Sequence, residues 1–244
     1  MDLNCDLGEG VGDDAAIFPL VSSANIACGY HAGDVVSMLE SCRLAVAGGV
    51  AIGAHPSYRD REGFGRRPME VEAGQLTADT LVQLRVLDVL ARQAGGHVAY
   101  LKPHGALYNR VAVDPVQAEA VVAAVVAFDR ALVVLSPAGS ALERAALTSG
   151  LEVRREAFVD RGYLADGSLA SRGTAGAVIE DPGQVAARAV ALATTGRIRA
   201  IDGTELELTA DSLCLHGDTP GAPALAATVR AALEDAGIRI AAFA

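Results

Sequence analysis

The single lysine of this sequence is the residue whose type most suggests chemistry. Twenty residues are lysine or arginine, and only Lys102 is a lysine. The two types replace each other on many surfaces, but only lysine offers a compact ammonium whose pKa shifts readily on burial. Lys102 precedes His104 by two positions, after the apolar run at 98–100, so both side chains share one face of a predicted strand. We therefore expect the pair to do chemistry; chance survival of one lysine in an arginine-rich composition is the alternative.

Other polar residues lie where further predicted strands end. Asn4 and Asp6 are two positions apart, as are His216 and Asp218. The other strand ends carry Asn25, His31, His55 and Arg161. The C-terminal ends of parallel strands meet at one edge of an α/β fold, where active sites form. A pocket that combines carboxylates, an amine and imidazoles suits general acid–base chemistry on a small polar substrate.

Several of these residues also have a purely structural interpretation. Asp6 could cap the loop that follows it, and Glu9 is expected to be a solvated loop charge. The segment GFGRR at 63–67 fits either a turn with exposed arginines or a lid that brings cations to an anionic substrate. His97 precedes its strand instead of following it, so we expect it on the surface.

A metal site is the main competing interpretation of the histidines. His31, His55 and Asp6 would form a two-histidine, one-carboxylate ligand set. The sequence contains neither HxxxH nor HExxH, so no metal ligand is predicted, and a divalent metal stays an alternative. It also lacks the GxxxxGK[ST] loop, so no nucleotide site is assigned. The four cysteines have no zinc-type or CxxC spacing and are expected to be buried as small hydrophobic residues.

Short β-type runs alternate with amphipathic helical stretches along the whole chain. Strands are predicted near residues 2–6, 24–28, 50–54, 98–102, 131–135, 152–158, 212–216 and 238–241. Asp114 and Asp181 each precede a proline and are expected to cap helices, while residues 198–208 resemble a small hairpin. The alternation predicts a parallel sheet. We predict an α/β fold in which residues 1–244 form a single (β/α)7-8 barrel, with an open doubly wound sheet as the alternative.

Charge and hydropathy exclude some classes of function. The formal net charge is −10 and no block of basic residues occurs, which disfavours nucleic-acid binding. No apolar run reaches the roughly 18 residues needed to cross a bilayer. The N-terminus is acidic from residue 2, unlike a signal peptide. We therefore expect a soluble cytoplasmic protein with no membrane partner.

Long segments of the sequence resemble one known family. They are DLNCDLGE at 2–9, SANIACGYHAGD at 23–34, GVAIGAHP at 49–56, GFGRR at 63–67, KPHGALYN at 102–109, DR at 160–161, IDGTE at 201–205 and HGD at 216–218. In this order they resemble the LamB/YcsF family, the A subunits of 5-oxoprolinase. The resemblance implies a barrel related to glycoside hydrolases and deacetylases. It also implies ATP-dependent opening of 5-oxoproline to L-glutamate together with subunits B and C.

This resemblance gives the pocket residues hypothetical roles. Lys102 would stabilise charge on the carbonyl or phosphoryl oxygens. Asp6 or His104 would activate water, and His216 would protonate the ring nitrogen. Arg161 would hold the substrate carboxylate. Substrate binding is expected of Asn4, Asn25, His31, His55, Arg161 and Asp218.

Two other functions remain open at this point. One is a metal-dependent deacetylase or amidohydrolase that acts alone. The other is a non-catalytic subunit that binds and delivers the lactam. The ATP site could lie on the partner subunits, since no P-loop is present, and a homo-oligomer is also compatible with the sequence.

Overall fold

The computed structural model describes residues 1–244 and contains a closed barrel of seven parallel strands. The strands, in chain order, are β1 (Asp2–Leu7), β2 (Ser23–Ala27), β3 (Ala51–His55), β4 (Val98–Leu101), β5 (Val133–Pro137), β6 (Val153–Phe158), β7 (Arg197–Arg199), β8 (Glu205–Glu207) and β9 (Ser212–His216). The barrel order is β1-β2-β3-β4-β5-β6-β9, and β9 closes it by pairing with both β6 and β1. The predicted α/β barrel is confirmed, in its seven-stranded form.

The predicted hairpin is also present, outside the barrel. Strands β7 and β8 pair antiparallel and lie between β6 and β9 in the chain. The eighth predicted strand, at 238–241, is wrong, because this segment adopts no strand conformation. Strand β1 is hydrogen-bonded to β2 on one edge and to β9 on the other, so the closed barrel offers no free edge to the C-terminal segment.

Helices cover the outside of the barrel. They are α1 (Asp14–Ile17), α2 (Val35–Gly48), α3 (Ala73–Gln93), α4 (Gly105–Val113), α5 (Pro115–Phe128), α6 (Ala141–Thr148), α7 (Pro182–Thr195) and α8 (Ala222–Asp235). Asp114 and Asp181 accept hydrogen bonds from the first turns of α5 and α7, as their sequence context predicted. None of these helices alone has the length and apolar character needed to span a bilayer; α4 and α5 meet that test only as a pair with a 113° bend between them.

The alternation of side chains along β1 separates an apolar layer from a polar barrel interior. Leu3, Cys5 and Leu7 join the large apolar cluster between strands and helices. Asp2 and Asn4, from the other face, are buried and hydrogen-bonded inside the barrel. Buried polar groups are costly unless they are paired. The barrel interior therefore contains a layer of hydrogen-bonded polar side chains beneath the C-terminal ends of the strands.

Candidate active site

A cavity of about 400 Å³ opens at the C-terminal ends of the barrel strands. Its wall includes Asp6 from β1, His55 from β3 and His216 from β9. The full lining is Asp6, His55, Arg66, Lys102, Pro103, His104, Gly105, Ala106, Tyr108, Asn109, Phe158, Arg161, Leu169, Ala170, Ser171, Arg172 and His216. All four predicted catalytic residues therefore line one cavity.

Lys102 lies at the floor of this cavity between two carboxylates. Its Nζ is 2.9 Å from Asp6 Oδ1 and 2.8 Å from Glu156 Oε1, and it also donates to Cys214 Sγ at 3.0 Å. The residue is only 1% exposed. Burial alone would lower the pKa of Lys102, but the carboxylates of Asp6 and Glu156 hold it well above its usual value. Lys102 is therefore a charged ammonium and does not act as a free base.

Asp6 divides its two oxygens between different partners. Oδ1 accepts hydrogen bonds from Lys102 Nζ at 2.9 Å and from Asn25 Nδ2 at 2.7 Å. Oδ2 lies 3.2 Å from His55 Nε2. Burial would raise the pKa of Asp6, but His55 and Lys102 beside it lower it well below its usual value. Asp6 is therefore an ionised carboxylate, with Oδ2 directed toward the histidines.

Three histidines gather on one side of the cavity. The rings of His31 and His104 stack with centroids 3.8 Å apart and an interplanar angle of 6°. His104 Nδ1 is 2.9 Å from His55 Nε2. Burial, followed by the neighbouring imidazoles, lowers the pKa of both His31 and His104 well below the usual value. These two rings are therefore neutral at pH 7.

Glu9 belongs to the same group, so the prediction of a solvated loop charge is wrong. Its side chain is buried because the loop after β1 folds over the histidines. Oε1 lies 3.2 Å from His31 Nε2 and 3.4 Å from His104 Nδ1. Burial, with added repulsion from Asp6 and Asp218, raises the pKa of Glu9 well above its usual value.

One set of ligand atoms in this group is close enough to hold a metal ion. Asp6, Glu9, His55 and His104 each offer one such atom, and these atoms all lie within 4.8 Å of one another. The sequence had suggested His31, His55 and Asp6 as the candidate set. The structure instead brings His104 into this set, while His31 packs behind it.

His216 forms a separate pair with Asp160. Its Nδ1 is 2.9 Å from Asp160 Oδ2, and its backbone N–H donates to the same oxygen. The ring stacks on Phe158 with a centroid distance of 5.2 Å. Burial would raise the pKa of Asp160, but His216 lowers it through its charge and its hydrogen bonds. An ionised carboxylate thus orients the ring through Nδ1 and leaves Nε2 for the cavity.

Arginines line the mouth of the cavity. Arg161 donates from Nε to Ala177 O and from Nη2 to Ala170 O, which commits one edge of its guanidinium to the main chain. Arg66 and Arg172 pair with Asp218, Arg172 at 3.8 Å. Burial, followed by the charge of Arg172, lowers the pKa of Arg161. The mouth is therefore a region of mutually repelling cations that an anion would stabilise.

Asp218 does not line the cavity itself, and it holds the mouth arginines in place. The segment at 63–67 combines both sequence-based interpretations. Arg66 enters the cavity wall, while Arg67 is exposed and lies near Asp60 and Glu62. The carbonyl of Phe64 accepts from His104 Nε2 at 2.9 Å, so this segment also covers the histidine group.

Three of the predicted substrate-binding residues lie behind the cavity wall. Asn25 Nδ2 donates to Asn4 Oδ1 and to Asp6 Oδ1, both at 2.7 Å, and Tyr100 donates to Asn25. His31 is 1% exposed beneath His104. In this structure they orient Asp6 and the histidine group, and their contact with substrate stays a prediction.

Comparison with known proteins identifies the family. The LamB/YcsF family model matches residues 1–244. The chain belongs to the LamB/YcsF family. It is 52% identical over 249 aligned positions to the 5-oxoprolinase A subunit of Kocuria rhizophila, in a match that covers 100% of this chain and 99% of that protein. The crystal structure of a lactam utilization protein from Thermus thermophilus is 44% identical, with a TM-score of 0.94 over 100% of this chain and 99% of that one.

More distant structures share the fold of this LamB/YcsF chain. A polysaccharide deacetylase from Bacillus cereus is 11% identical with a TM-score of 0.51, covering 100% of this chain and 93% of that one. A β-1,4-mannanase is also among the matches. These matches confirm the predicted likeness to deacetylases and glycoside hydrolases, and at this identity the likeness concerns the fold alone.

Several residues of the LamB/YcsF site were not among the predicted site residues. They are Glu9, Glu156, Asp160, Arg66 and Arg172. Asp160 directly precedes Arg161 after a strand, so its position was a usable signal. Glu156 gave a weaker one, because its inward direction follows from strand alternation only once the register of β6 is known. Arg172 lies in the long segment between β6 and α7, whose path the sequence pattern does not define.

Proposed function

We propose that this chain is the A subunit of a 5-oxoprolinase, which opens the lactam 5-oxoproline to L-glutamate with ATP and the partner subunits B and C. The observation that carries the proposal is the full-length identity of about half with a 5-oxoprolinase A subunit. The chemistry of the cavity agrees with it. A volume of about 400 Å³ suits a small polar substrate, and the wall combines acid–base groups with cations.

Opening this lactam requires activation because the ring is an unstrained amide and a poor electrophile. Transfer of a phosphoryl group from ATP to the amide oxygen would make the ring carbon attackable. Water then adds to that carbon, its proton goes to a base, and the C–N bond breaks as the nitrogen takes up a proton. The product of this step is γ-glutamyl phosphate, and a second water releases phosphate and glutamate.

Lys102 and Asp6 supply the polar floor for these steps. The ammonium of Lys102 would stabilise negative charge on the carbonyl or phosphoryl oxygens. It lies at hydrogen-bond distance from Asp6 Oδ1. Asp6 Oδ2, together with His104 on the same side, would accept the proton of the attacking water. The burial of Lys102 supports this role, since it excludes competing solvent.

His216 would deliver the proton to the leaving nitrogen. The carboxylate of Asp160 accepts from its Nδ1–H, so Nε2 is the nitrogen available for proton transfer. Asp160 is then a positioning residue. His216 ends β9, and β1 and β2 lie between this strand and β3, which ends at His55; this order supports a division between a side that activates water and a side that protonates nitrogen.

The mouth arginines would bind anionic parts of the substrate. Arg66, Arg161 and Arg172 line one cavity. A guanidinium binds carboxylate and phosphoryl oxygens in a charge-assisted fork. This chain has no P-loop, so ATP would bind either at an unconventional site in this chain or on a partner subunit. The cations here would then hold the substrate carboxylate and the transferred phosphoryl group.

A reconstitution assay tests the proposal. The full chain is combined with its B and C subunits, and glutamate and phosphate release from 5-oxoproline is followed with and without ATP. We expect glutamate only when all three subunits and ATP are present. The same B and C subunits combined with the A subunit of Kocuria rhizophila are the control. Turnover in that control but not with this chain would overturn the proposal.

One observation favours a second candidate, a metal-dependent amidohydrolase that acts alone. The ligand atoms of Asp6, Glu9, His55 and His104 converge within 4.8 Å. Hydrolysis of simple amides or N-acetyl compounds by the isolated chain, without ATP or partners, would support this candidate over the first.

A further inference from the structure

We propose that Asp6, Glu9, His55 and His104 bind one divalent transition-metal ion in the wall of the cavity. The inference deepens the second candidate function and is independent of lactam turnover, because metal binding is measured on the isolated chain without substrate. The four residues come from three different segments: β1 with the loop after it, the end of β3 and the turn after β4. All four side chains are buried.

The spacing of the ligand atoms matches a single coordination sphere. His104 Nδ1 is 2.9 Å from His55 Nε2, and His55 Nε2 is 3.2 Å from Asp6 Oδ2. Glu9 Oε1 is 3.4 Å from His104 Nδ1. Bonds of about 2.1 Å between ligand and metal place adjacent ligand atoms roughly 3.0–3.4 Å apart, depending on geometry. These three separations fall in or next to this range, and all four ligand atoms lie within 4.8 Å of one another.

The hydrogen bonds of two rings determine which nitrogens face the ion. His55 Nδ1 is 2.8 Å from Lys102 O, and His104 Nε2 is 2.9 Å from Phe64 O. A carbonyl oxygen only accepts, so each ring must donate its N–H there. The other nitrogen of each ring is then the one that can offer a lone pair to an ion. These two nitrogens face each other at 2.9 Å, so either a proton or a metal ion must lie between them to relieve the repulsion of two lone pairs.

The backbone contacts of these rings have the form found around metal-bound histidines. Such ligands commonly donate the outer N–H to a carbonyl or a carboxylate, which fixes the tautomer and the ring orientation. His55 and His104 both do so through main-chain carbonyls. Their lone-pair nitrogens are therefore held in place before any ion binds.

His31 would position Glu9 without binding the ion itself. Its Nδ1 is 3.0 Å from Ser57 Oγ, and that hydroxyl donates its only hydrogen to Tyr58 O, so His31 Nδ1–H donates to Ser57 Oγ. The Nε2 of the neutral ring then faces Glu9 Oε1 at 3.2 Å as an acceptor, and a protonated Glu9 carboxyl can donate to it. This contact orients the carboxylate, and the stacking of His31 on His104 holds both rings in register.

The donor set selects the class of ion. Two imidazole nitrogens and two carboxylate oxygens suit Zn²⁺ and neighbouring transition ions, whereas Mg²⁺ and Ca²⁺ prefer oxygen alone. Lys102 and Asn25 occupy Asp6 Oδ1, which leaves Oδ2 for the ion. We therefore expect Zn²⁺ and Co²⁺ to bind and Mg²⁺ not to compete with them. With an ion bound, Asp6 Oδ2 and His104 Nδ1 would hold it and would not be free to accept a proton from water.

The test uses the full chain after treatment with chelator. Titration with Zn²⁺ and Co²⁺, followed by calorimetry and metal analysis after dialysis, should give one ion per chain. Bound Co²⁺ should also show the visible absorption of a site with nitrogen ligands. His55→Ala should weaken binding by at least about 100-fold, since loss of a supporting contact alone costs 10–100-fold. Glu9→Gln, which preserves side-chain shape, gives a second readout should His55→Ala fail to fold.

Two controls separate this site from other metal-binding groups. His97→Ala removes an exposed histidine, and His216→Ala removes the cavity histidine outside the set. Both variants should bind the ion as the wild-type chain does. Binding well below one equivalent would overturn the proposal, as would binding that His55→Ala and Glu9→Gln leave unchanged. Failure of lactam turnover alone would not affect it.

Discussion

Two histidine groups lie on different sides of the cavity, and their hydrogen bonds differ in direction. On the β3–β4 side, His55 and His104 donate outward to main-chain carbonyls, and their other nitrogens face each other and the carboxylates of Asp6 and Glu9. On the β9 side, His216 stands alone and Nδ1 contacts the carboxylate of Asp160. The first arrangement brings several potential metal-ligand atoms together. The second arrangement orients a single imidazole ring toward the cavity.

This difference shows how the hydrogen-bond acceptor of a histidine ring can favour either metal binding or proton transfer within one barrel. A carbonyl acceptor fixes a tautomer but adds no charge, so the inward nitrogens stay available to a cation. A carboxylate acceptor fixes the tautomer and also stabilises the protonated ring, which suits proton transfer. We expect the β3–β4 side to bind an ion or, when no ion is bound, to take a proton from water, and the β9 side to deliver a proton.

The largest effect should come from His216→Ala in the reconstituted complex. Loss of a general acid should lower kcat by about 10²–10⁴-fold. Metal content of the chain should not change, because His216 is outside the ligand set. Glutamate release gives kcat, and metal analysis of the same preparation gives the metal content per chain. Loss of the ion in this variant would contradict the proposal that His216 acts in proton transfer and not in metal binding.

Lys102→Met should show how strongly the stability of the protein depends on the ammonium group at the floor of the cavity. The substitution leaves the buried carboxylate of Glu156 without its cation and Asp6 with His55 as its remaining ion-pair partner, so we expect a loss of about 3–5 kcal/mol in the free energy of unfolding. Urea unfolding measures it. Adding Glu156→Gln to this variant should restore part of the loss, since one uncompensated charge disappears. A loss near zero in the single variant would contradict the ion pairs.

Gly65→Ala should disturb the β3–β4 side selectively. Gly65 has a φ of 67°, and a Cβ there would lie 2.8 Å from both His104 Cδ2 and His31 Cβ. We expect a stability loss of about 1–3 kcal/mol together with weaker metal binding. Gly139→Ala is the matched control, with a φ of 71° and no atom within 4 Å of the added Cβ. Equal effects in both variants would attribute the loss to backbone strain alone.

Arg66→Gln should have the smallest effect, at the mouth that both sides share. Loss of one charge-assisted contact of about 1.4 kcal/mol would raise KM roughly tenfold and leave kcat nearly unchanged. Arg67→Gln controls for the neighbouring exposed arginine, which does not line the cavity. Steady-state kinetics with 5-oxoproline distinguishes them, and an equal rise in KM for both would indicate general electrostatics instead of a contact.

Much of the fold and part of the site follow from sequence pattern. Strand periodicity placed Lys102 and His104 at the end of one strand, and parallel topology brought them to Asp6 and His216. The false eighth strand shows the limit of this reasoning. Local β propensity at 238–241 cannot reveal that β9 already closes the barrel on β1.

The rest of the site depends on tertiary contacts that spacing does not encode. Glu9 looked like a solvated charge because its burial is produced by the β1 loop folding onto His31. Asn4 and Asn25 share the strand-end signal but bond to one another and to Asp6. Strand position therefore predicted which residues gather, whereas hydrogen-bond partners decide which of them face the cavity.

Replacing Asp6 and His104 together in the reconstituted complex tests most directly whether this chain carries out the chemistry. Asp6→Asn with His104→Ala removes the proposed water-activating groups, and co-elution with the B and C subunits verifies assembly. We expect glutamate formation from 5-oxoproline and ATP to fall by at least about 100-fold. A rate equal to that of the wild-type complex would contradict this expectation, and would mean that this chain binds the lactam without carrying out its chemistry.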